Sequence, residues 1–204
     1  MASLTPVDRV RVTTVVDNYI DALRQDEKVA RRHSAFVARQ MVDLRAEHGL
    51  AHFVEITRGA ETVRIAFDFG PSEAAITHNF RVLGLDPGAI GPDDFLGEQT
   101  LIAHVRGRGL VVVTSCSHRG IVGICRNAAR IAGVSKVHAV LGGFHMSGLK
   151  EERVTRVVDA FRALEVDWVV PQHCTGLESM ATLLHRLPSE TVVTSVGSTF
   201  TFEA

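Results

Sequence analysis

Three histidines stand at the ends of three apolar runs, spaced 27 and 28 residues apart: His118, His145 and His173. The runs are Gly109 to Ser117, Val137 to Phe144, and Asp167 to Gln172, and a helix-like stretch follows each histidine. If the runs are neighbouring strands pointing the same way, the three imidazoles meet at one edge of one sheet, where α/β sheets place their ligands. Imidazole is the commonest protein ligand for zinc and related metals. A metal held there, with one position open, would bring the pKa of a bound water down to about 7 and supply hydroxide at physiological pH. Ser115, Ser117, Gly142 and Gly143 are small enough to let backbone approach closely beside the histidines. A lone histidine in such a place more often caps a strand or bonds at the surface; three at matched strand ends favour metal ligands.

Cys116 and Cys174 each lie within two residues of one of these histidines. Thiolates bind zinc and iron well, but buried, inert thiols are the simpler expectation for both. His173-Cys174 between a strand and a helix superficially resembles a cysteine-phosphatase loop. That loop needs an arginine six residues on, where this chain has Met180, so the reading fails. Asp68 ends another apolar run; it could bind metal or orient a histidine, or serve as a helix N-terminal acid. Arg119, directly after His118, could meet an anionic substrate with help from the N–H groups of Gly120 and Ile121. His78 falls on a helix and is a secondary cleft candidate, with a structural role expected. His33, His48, His52, His104, His138 and His185 read as surface or packing residues, and Arg106 and Arg108 as solvated turn residues.

The elements that must position these groups alternate as in an α/β protein. Residues 10–17 form an expected strand. Residues 23–48 are charged and read as an exposed loop with helical turns. Strands follow at 52–56 and 62–68, then a helix capped by Ser72 and ended by Leu83-Gly84. The glycine- and proline-rich stretch 84–98, with its acidic pair Asp93-Asp94, is the expected boundary between halves of about 1–90 and 91–204 in a single domain. The second half reads as strand 99–105, a hairpin into strand 110–115, helix 120–132, strand 136–142, helix 150–164, strand 167–171 and helix 176–186. Strands 191–195 and 198–203 come last.

With 204 residues, 46% of them hydrophobic and 22% charged, the chain can bury one good core. A net charge of −1 argues against a large nucleic-acid surface. No run is long enough to span a membrane and no secretory leader is visible, so a cytoplasmic location is expected. Three cysteines, an odd number without framework spacing, agree with reduced thiols. The expected partner is a small, anionic substrate.

Several segments carry a family resemblance. They are Thr14-Val15-Val16-Asp17-Asn18-Tyr19, Ala46-Glu47-His48-Gly49-Leu50, Phe67-Asp68-Phe69-Gly70, His78-Asn79, Gly109 to Gly123, Val137 to His145, Val170 to Gly176, and Ser195-Val196-Gly197-Ser198. Together they resemble the metallo-β-lactamase superfamily, in its branch similar to the dihydropterin-linked ribofuranosyl-aminobenzene phosphate synthases. The resemblance implies an αββα sandwich with a metal cleft at its top edge. It places His118 and His173 near the metals, and His145 in the cleft.

One departure is large. The superfamily's His-x-His-x-Asp-His motif is absent, and the chain passes from Leu85-Asp86-Pro87-Gly88-Ala89-Ile90 directly to Gly91-Pro92-Asp93-Asp94. The expected fold is therefore a sandwich shortened by a strand and the metal loop. A single divalent metal, zinc before iron or manganese, would replace a dinuclear site. The exposed sheet edge would be covered by a homodimer or a rearranged 84–98 loop. The functional expectation is a divergent or truncated metal-dependent hydrolase with Asp68 and Arg119 as catalytic candidates. The alternatives are a non-catalytic binding or assembly protein using the old cleft or the exposed sheet edge, and a chain shortened artificially near Gly91-Pro92.

Overall fold

The computed structural model describes residues 4–33, 36–37, 40–87 and 99–204. In chain order the strands of the first half are β1 (Arg9–Val16), β2 (Ala30–Arg31), β3 (Phe36–Val37), β4 (Gln40–Met41), β5 (Ala51–Arg58) and β6 (Glu61–Phe67), followed by helix α1 (Glu73–Val82). The second half contains β7 (Thr100–Val105), β8 (Gly109–Cys116), α2 (Ile121–Ala132), β9 (Val137–Gly143), α3 (Glu151–Ala163), β10 (Trp168–Gln172), a 3₁₀ turn (His173–Thr175), α4 (Leu177–Arg186) and β11 (Thr199–Glu203).

Two sheets stack face to face. One has the order β2-β11-β1-β5-β6 and the other β10-β9-β8-β7. Period-two alternation explains the stacking. Val111 and Val113 of β8 face the other sheet, meeting Val10 and Val12 of β1, Val54 of β5, and Phe200 and Phe202 of β11. The intervening Leu110 and Val112 face outward into a second core, with Ile121, Cys125 and Ala128 of α2 and Val158 and Phe161 of α3. On the far side of the first sheet, Val15, Val16 and Phe53 pack against Ile76 and Phe80 of α1. Helix, sheet, sheet and helix thus form four layers, the expected αββα sandwich.

Ser72 caps α1 as expected, its Oγ accepting from the Ala75 N–H at 3.2 Å, and Gly84 follows with φ +65°. β6 is the outer strand of its sheet, and its Val63 is 59% exposed. No helix among the described residues is long and apolar enough to cross a membrane.

Two expectations need correction. Residues 191–195 form no strand; they make one parallel bridge, Val169 to Thr191. Their hydroxyls bond elsewhere: Thr191 donates to the Leu183 carbonyl, Thr194 meets Thr14, and Ser195 meets Ser198. Such side-chain bonds compete with a ladder. The described part of 23–48 holds no helical turn; it contributes β2 to the first sheet. Arg32, only 6% exposed in its side chain, pins this stretch by donating to Ser198 Oγ and the Val193 carbonyl, and it pairs with Glu27. Tertiary contacts override local helix propensity here. From residue 88 the expected boundary loop, with Asp93-Asp94, lies outside the described residues.

Candidate metal centre

β8, β9 and β10 run parallel, and their ends are in register: Cys116 and Gln172 both pair with Gly143 on the central strand. Beyond these positions each strand leaves through a tight turn. Ser117 donates to the Gly143 carbonyl from both its N–H (3.0 Å) and its Oγ (2.8 Å). Thr175 Oγ1 donates to the Gln172 carbonyl at 2.7 Å and accepts from the Phe144 N–H at 3.1 Å. These bonds bring the residues after β10 back over β9. A Cβ on Gly143 would lie 2.7 Å from Cys174 Sγ and 2.8 Å from the Ser115 carbonyl, so glycine there is what admits the sulfur. The result is a compact donor group: one ligand atom each from Cys116, His173 and Cys174, all within 4.8 Å of one another.

The end of β1 holds His173 in place. Asp17 Oδ1 accepts from the His173 N–H at 3.0 Å and from the Asn18 N–H at 2.7 Å. Asn18 Nδ2 donates to the His173 carbonyl at 3.1 Å, while its Oδ1 lies 3.0 Å from His173 Nδ1. A carbonyl can only accept, so the amide nitrogen must face it and the amide oxygen must face Nδ1. Nδ1 therefore carries the ring proton, and Nε2 keeps its lone pair for a ligand. Burial, then the nearby charges of His48 and His145, lower the His173 pKa to about 4, so this ring is neutral at physiological pH. The His48 ring lies 4.8 Å from that of His173.

Beneath the site is a buried polar chain. His52 Nε2 meets Gln172 Oε1 at 2.8 Å, and Gln172 Nε2 donates to Thr14 Oγ1 at 3.0 Å. His52 is fully buried and burial lowers its pKa to about 4. Burial raises that of Asp17 to about 6, against the lowering effect of its N–H donors. Asp17 Oδ2 and His52 Nδ1 are buried without a protein partner.

The sequence-derived candidates separate into groups. His118 and His145 bring their rings together, with centroids 4.5 Å apart, and both are exposed. His145 also bonds to Cys174. The three histidines thus gather at one edge, but among the described residues the tight donor group is one histidine and two cysteines. Expecting inert thiols suits Cys125, whose burial pushes its pKa up to about 12, and does not suit Cys116 or Cys174, which are half-buried. A hydrogen bond from Cys116 draws the Cys174 thiol down to about 6; burial opposes it and His145 adds to it.

Asp68 directly follows β6, with φ +60° and its Oδ1 accepting from the Phe69 N–H at 2.8 Å. The first-turn acid of α1 is Glu73, so Asp68 is not that helix's N-terminal acid. Arg119 is exposed just before Gly120 at the start of α2. His78 is tied to Asp43, 2.5 Å from its carbonyl, and is not in the donor group.

Among the described residues, five non-glycine positions have positive φ, and three of them are Asp68, His145 and His173. Left-handed backbone costs on the order of 1–3 kcal/mol at such residues and clusters at functional sites. Sequence reasoning passed over His48, Asp17 and Asn18 as contributors; their signal lay in the Thr14–Tyr19 and Ala46–Leu50 segments.

The donor set fits a metal. Two thiol sulfurs and a neutral imidazole are ligands of the kind that hold zinc, and three protein ligands leave a fourth position open.

No family model matches the chain. Over 86 residues it is 36% identical to the 7,8-dihydropterin-6-methyl-4-(β-D-ribofuranosyl)-aminobenzene-5'-phosphate synthase of Methanocaldococcus jannaschii, covering 42% of this chain and 29% of that one. It is 34% identical over 73 residues to an uncharacterized protein of the same organism, covering 36% and 27%. The matches thus span less than a third of the length of these curated relatives. A crystal structure described as a metal-dependent hydrolase of the β-lactamase superfamily superposes with a TM-score of 0.69 at 19% identity, covering 96% of this chain and 99% of that chain. The four layers and this superposition give the chain the metallo-β-lactamase fold.

Proposed function

We propose that this chain is a divergent metal-dependent hydrolase of metallo-β-lactamase fold that holds one divalent ion, zinc by donor chemistry, at Cys116, His173 and Cys174. The observation that carries this reading is the clustering of those three donor atoms within 4.8 Å, with His173 held in the ligand-competent tautomer. The absent His-x-His-x-Asp-His motif argues for one ion rather than two. When bound, such an ion supplies a water acidified to a pKa of about 7.

The remaining roles belong to the chain's own groups. His145 and His118, in ring contact at the exposed mouth, can hold or pass a proton beside the cluster. Arg119 at the start of α2 would attract a small anionic substrate, and Asp68 would orient the cleft from the end of β6. A reducing compartment such as the cytoplasm belongs to the same reading, because thiol ligands must stay reduced. A second reading, a non-catalytic binding protein on the same cleft, is favoured by the absence of the His-x-His-x-Asp-His motif.

Metal analysis of protein purified without added metal tests both. One zinc per chain, lost in His173→Ala and Cys174→Ser, with phosphodiester or lactone hydrolysis lost in parallel, supports the hydrolase. One zinc without hydrolysis supports the binding protein. Protein that stays metal-free and inactive after dialysis against zinc overturns the hydrolase and favours the binding protein.

A further inference from the structure

Cys116 and Cys174 reach each other across an intervening strand. Register-matched positions on β8 and β10 are two strand spacings apart, on the order of 9–10 Å, beyond the reach of a disulfide. Cys174 is not at the matched position, which is Gln172; it lies two residues on, in the 3₁₀ turn that folds back over β9. There its sulfur occupies the space a side chain on Gly143 would fill, within 4.8 Å of the Cys116 sulfur. Both residues are half-buried, open to small solutes, whereas the chain's third cysteine, Cys125, is sealed in the core.

We propose that Cys116 and Cys174 form a redox-active dithiol that a peroxide-class oxidant closes to a disulfide, and that closure releases the metal. The release half of this inference rests on the metal site proposed above; the disulfide half does not.

The step balances with the peroxide as oxidant. The Cys174 sulfur, deprotonated, attacks one peroxide oxygen. The O–O bond breaks; one oxygen leaves and takes up a proton as water, and the other stays as the sulfenic S–OH. The Cys116 sulfur then attacks the sulfenic sulfur, the S–S bond forms, and the S–O bond breaks. The departing hydroxide takes the Cys116 proton as a second water. The sulfur pair loses two electrons and the peroxide gains two. A disulfide has no thiolate to offer a divalent cation, so His173 would remain as the only donor of the three. Metal and oxidant thus compete for the same two sulfurs.

The test uses the full chain, freed of metal by a chelator and treated with hydrogen peroxide. Thiols are counted after denaturation, and intact mass and peptide maps are recorded. The expected result is loss of two of the three thiols, a mass lower by two hydrogens, and a Cys116–Cys174 cross-linked peptide that dithiothreitol reverses. Cys125→Ser should behave like the unsubstituted chain, whereas Cys116→Ser should gain oxygen without a cross-link. Zinc-loaded protein should oxidise more slowly and release its zinc to a chromogenic chelator as thiols disappear.

Retention of all three thiols, accumulation of sulfinic acid without a cross-link, or a cross-link only between two chains overturns the proposal. Disulfide formation in a protein that never binds zinc upholds the dithiol and refutes the metal site. Zinc binding with no disulfide does the reverse.

Discussion

Asn18 grips His173 at two points, donating to its carbonyl at 3.1 Å and meeting its Nδ1 at 3.0 Å. One amide thereby fixes both the backbone position and the ring tautomer of a residue whose own φ is +44°. Asn18→Ala should leave the fold intact by circular dichroism and lower zinc affinity about 10–100-fold, the usual cost of losing an outer partner of a ligand histidine. Competition with a chelating dye measures this; unchanged affinity would show that the amide does not set the tautomer.

The glycine pair at the end of β9 should respond unequally to substitution. Gly143→Ala places a Cβ 2.7 Å from Cys174 Sγ, a side-chain atom in the 3₁₀ turn, and 2.8 Å from the Ser115 carbonyl. It should cost about 1–3 kcal/mol and spread the donor group, so metal content falls while folding persists. Gly142→Ala meets the Thr114 carbonyl at 2.0 Å, with φ already +131°. That backbone clash is closer than the 2.8 Å at Gly143 and comes with a left-handed φ, so the denaturation midpoint should drop further than for Gly143→Ala.

Two buried groups under the site should oppose each other in the pH dependence of the metal-free protein. Asp17 titrates at about 6 when folded, above its usual 3.8. Its contribution is present below pH 4 and is lost as pH rises through 6. His52 titrates at about 4 when folded, below its usual 6.5. Its contribution is present above pH 6.5 and is lost as pH falls through 4. Relative to the unsubstituted chain, Asp17→Asn should gain stability as pH rises from 4 to 6, and His52→Gln as pH falls from 6.5 to 4. Each slope is at most about 1.4 kcal/mol per pH unit. Urea titrations at stepped pH check the signs, and parallel curves for all three proteins would refute the assignment.

The N-cap of α1 also ties the helix to the loop that carries His48. Ser72 Oγ accepts from the Ala75 N–H and donates to Glu47 Oε2 at 2.6 Å. Ser72→Ala should cost about 0.5–2 kcal/mol, read as a lower thermal midpoint. Glu47→Gln, which keeps a hydrogen-bond acceptor, should cost less.

Much of this architecture was legible because it follows from local pattern. The continuous apolar run of β8 and the amphipathic face of α3 name their burial directly. The glycines ending β9 and the histidines at strand ends point to one edge once the strands are parallel. The donor group itself was not legible. Whether Cys174 is an inert thiol or a ligand depends on a turn folding back over Gly143, and no periodicity encodes that reversal. The grip of Asn18 on His173 joins residues 155 positions apart. Hydroxyl-rich residues 191–195 looked β-prone, but their side chains satisfied nearby groups instead.

The pairing of β1 with both β5 and β11 bears on how the chain is made. Thr13 meets Thr199 across 186 positions, so through most of synthesis the central strand of the first sheet has one side unfilled. A ribosome adding about 5–20 residues per second leaves that apolar edge open for roughly ten seconds or longer. Non-local closure of this kind also slows folding once the chain is free. The chain's most vulnerable period thus comes before β11 is available, when Val10 and Val12 have yet to meet Phe200 and Phe202.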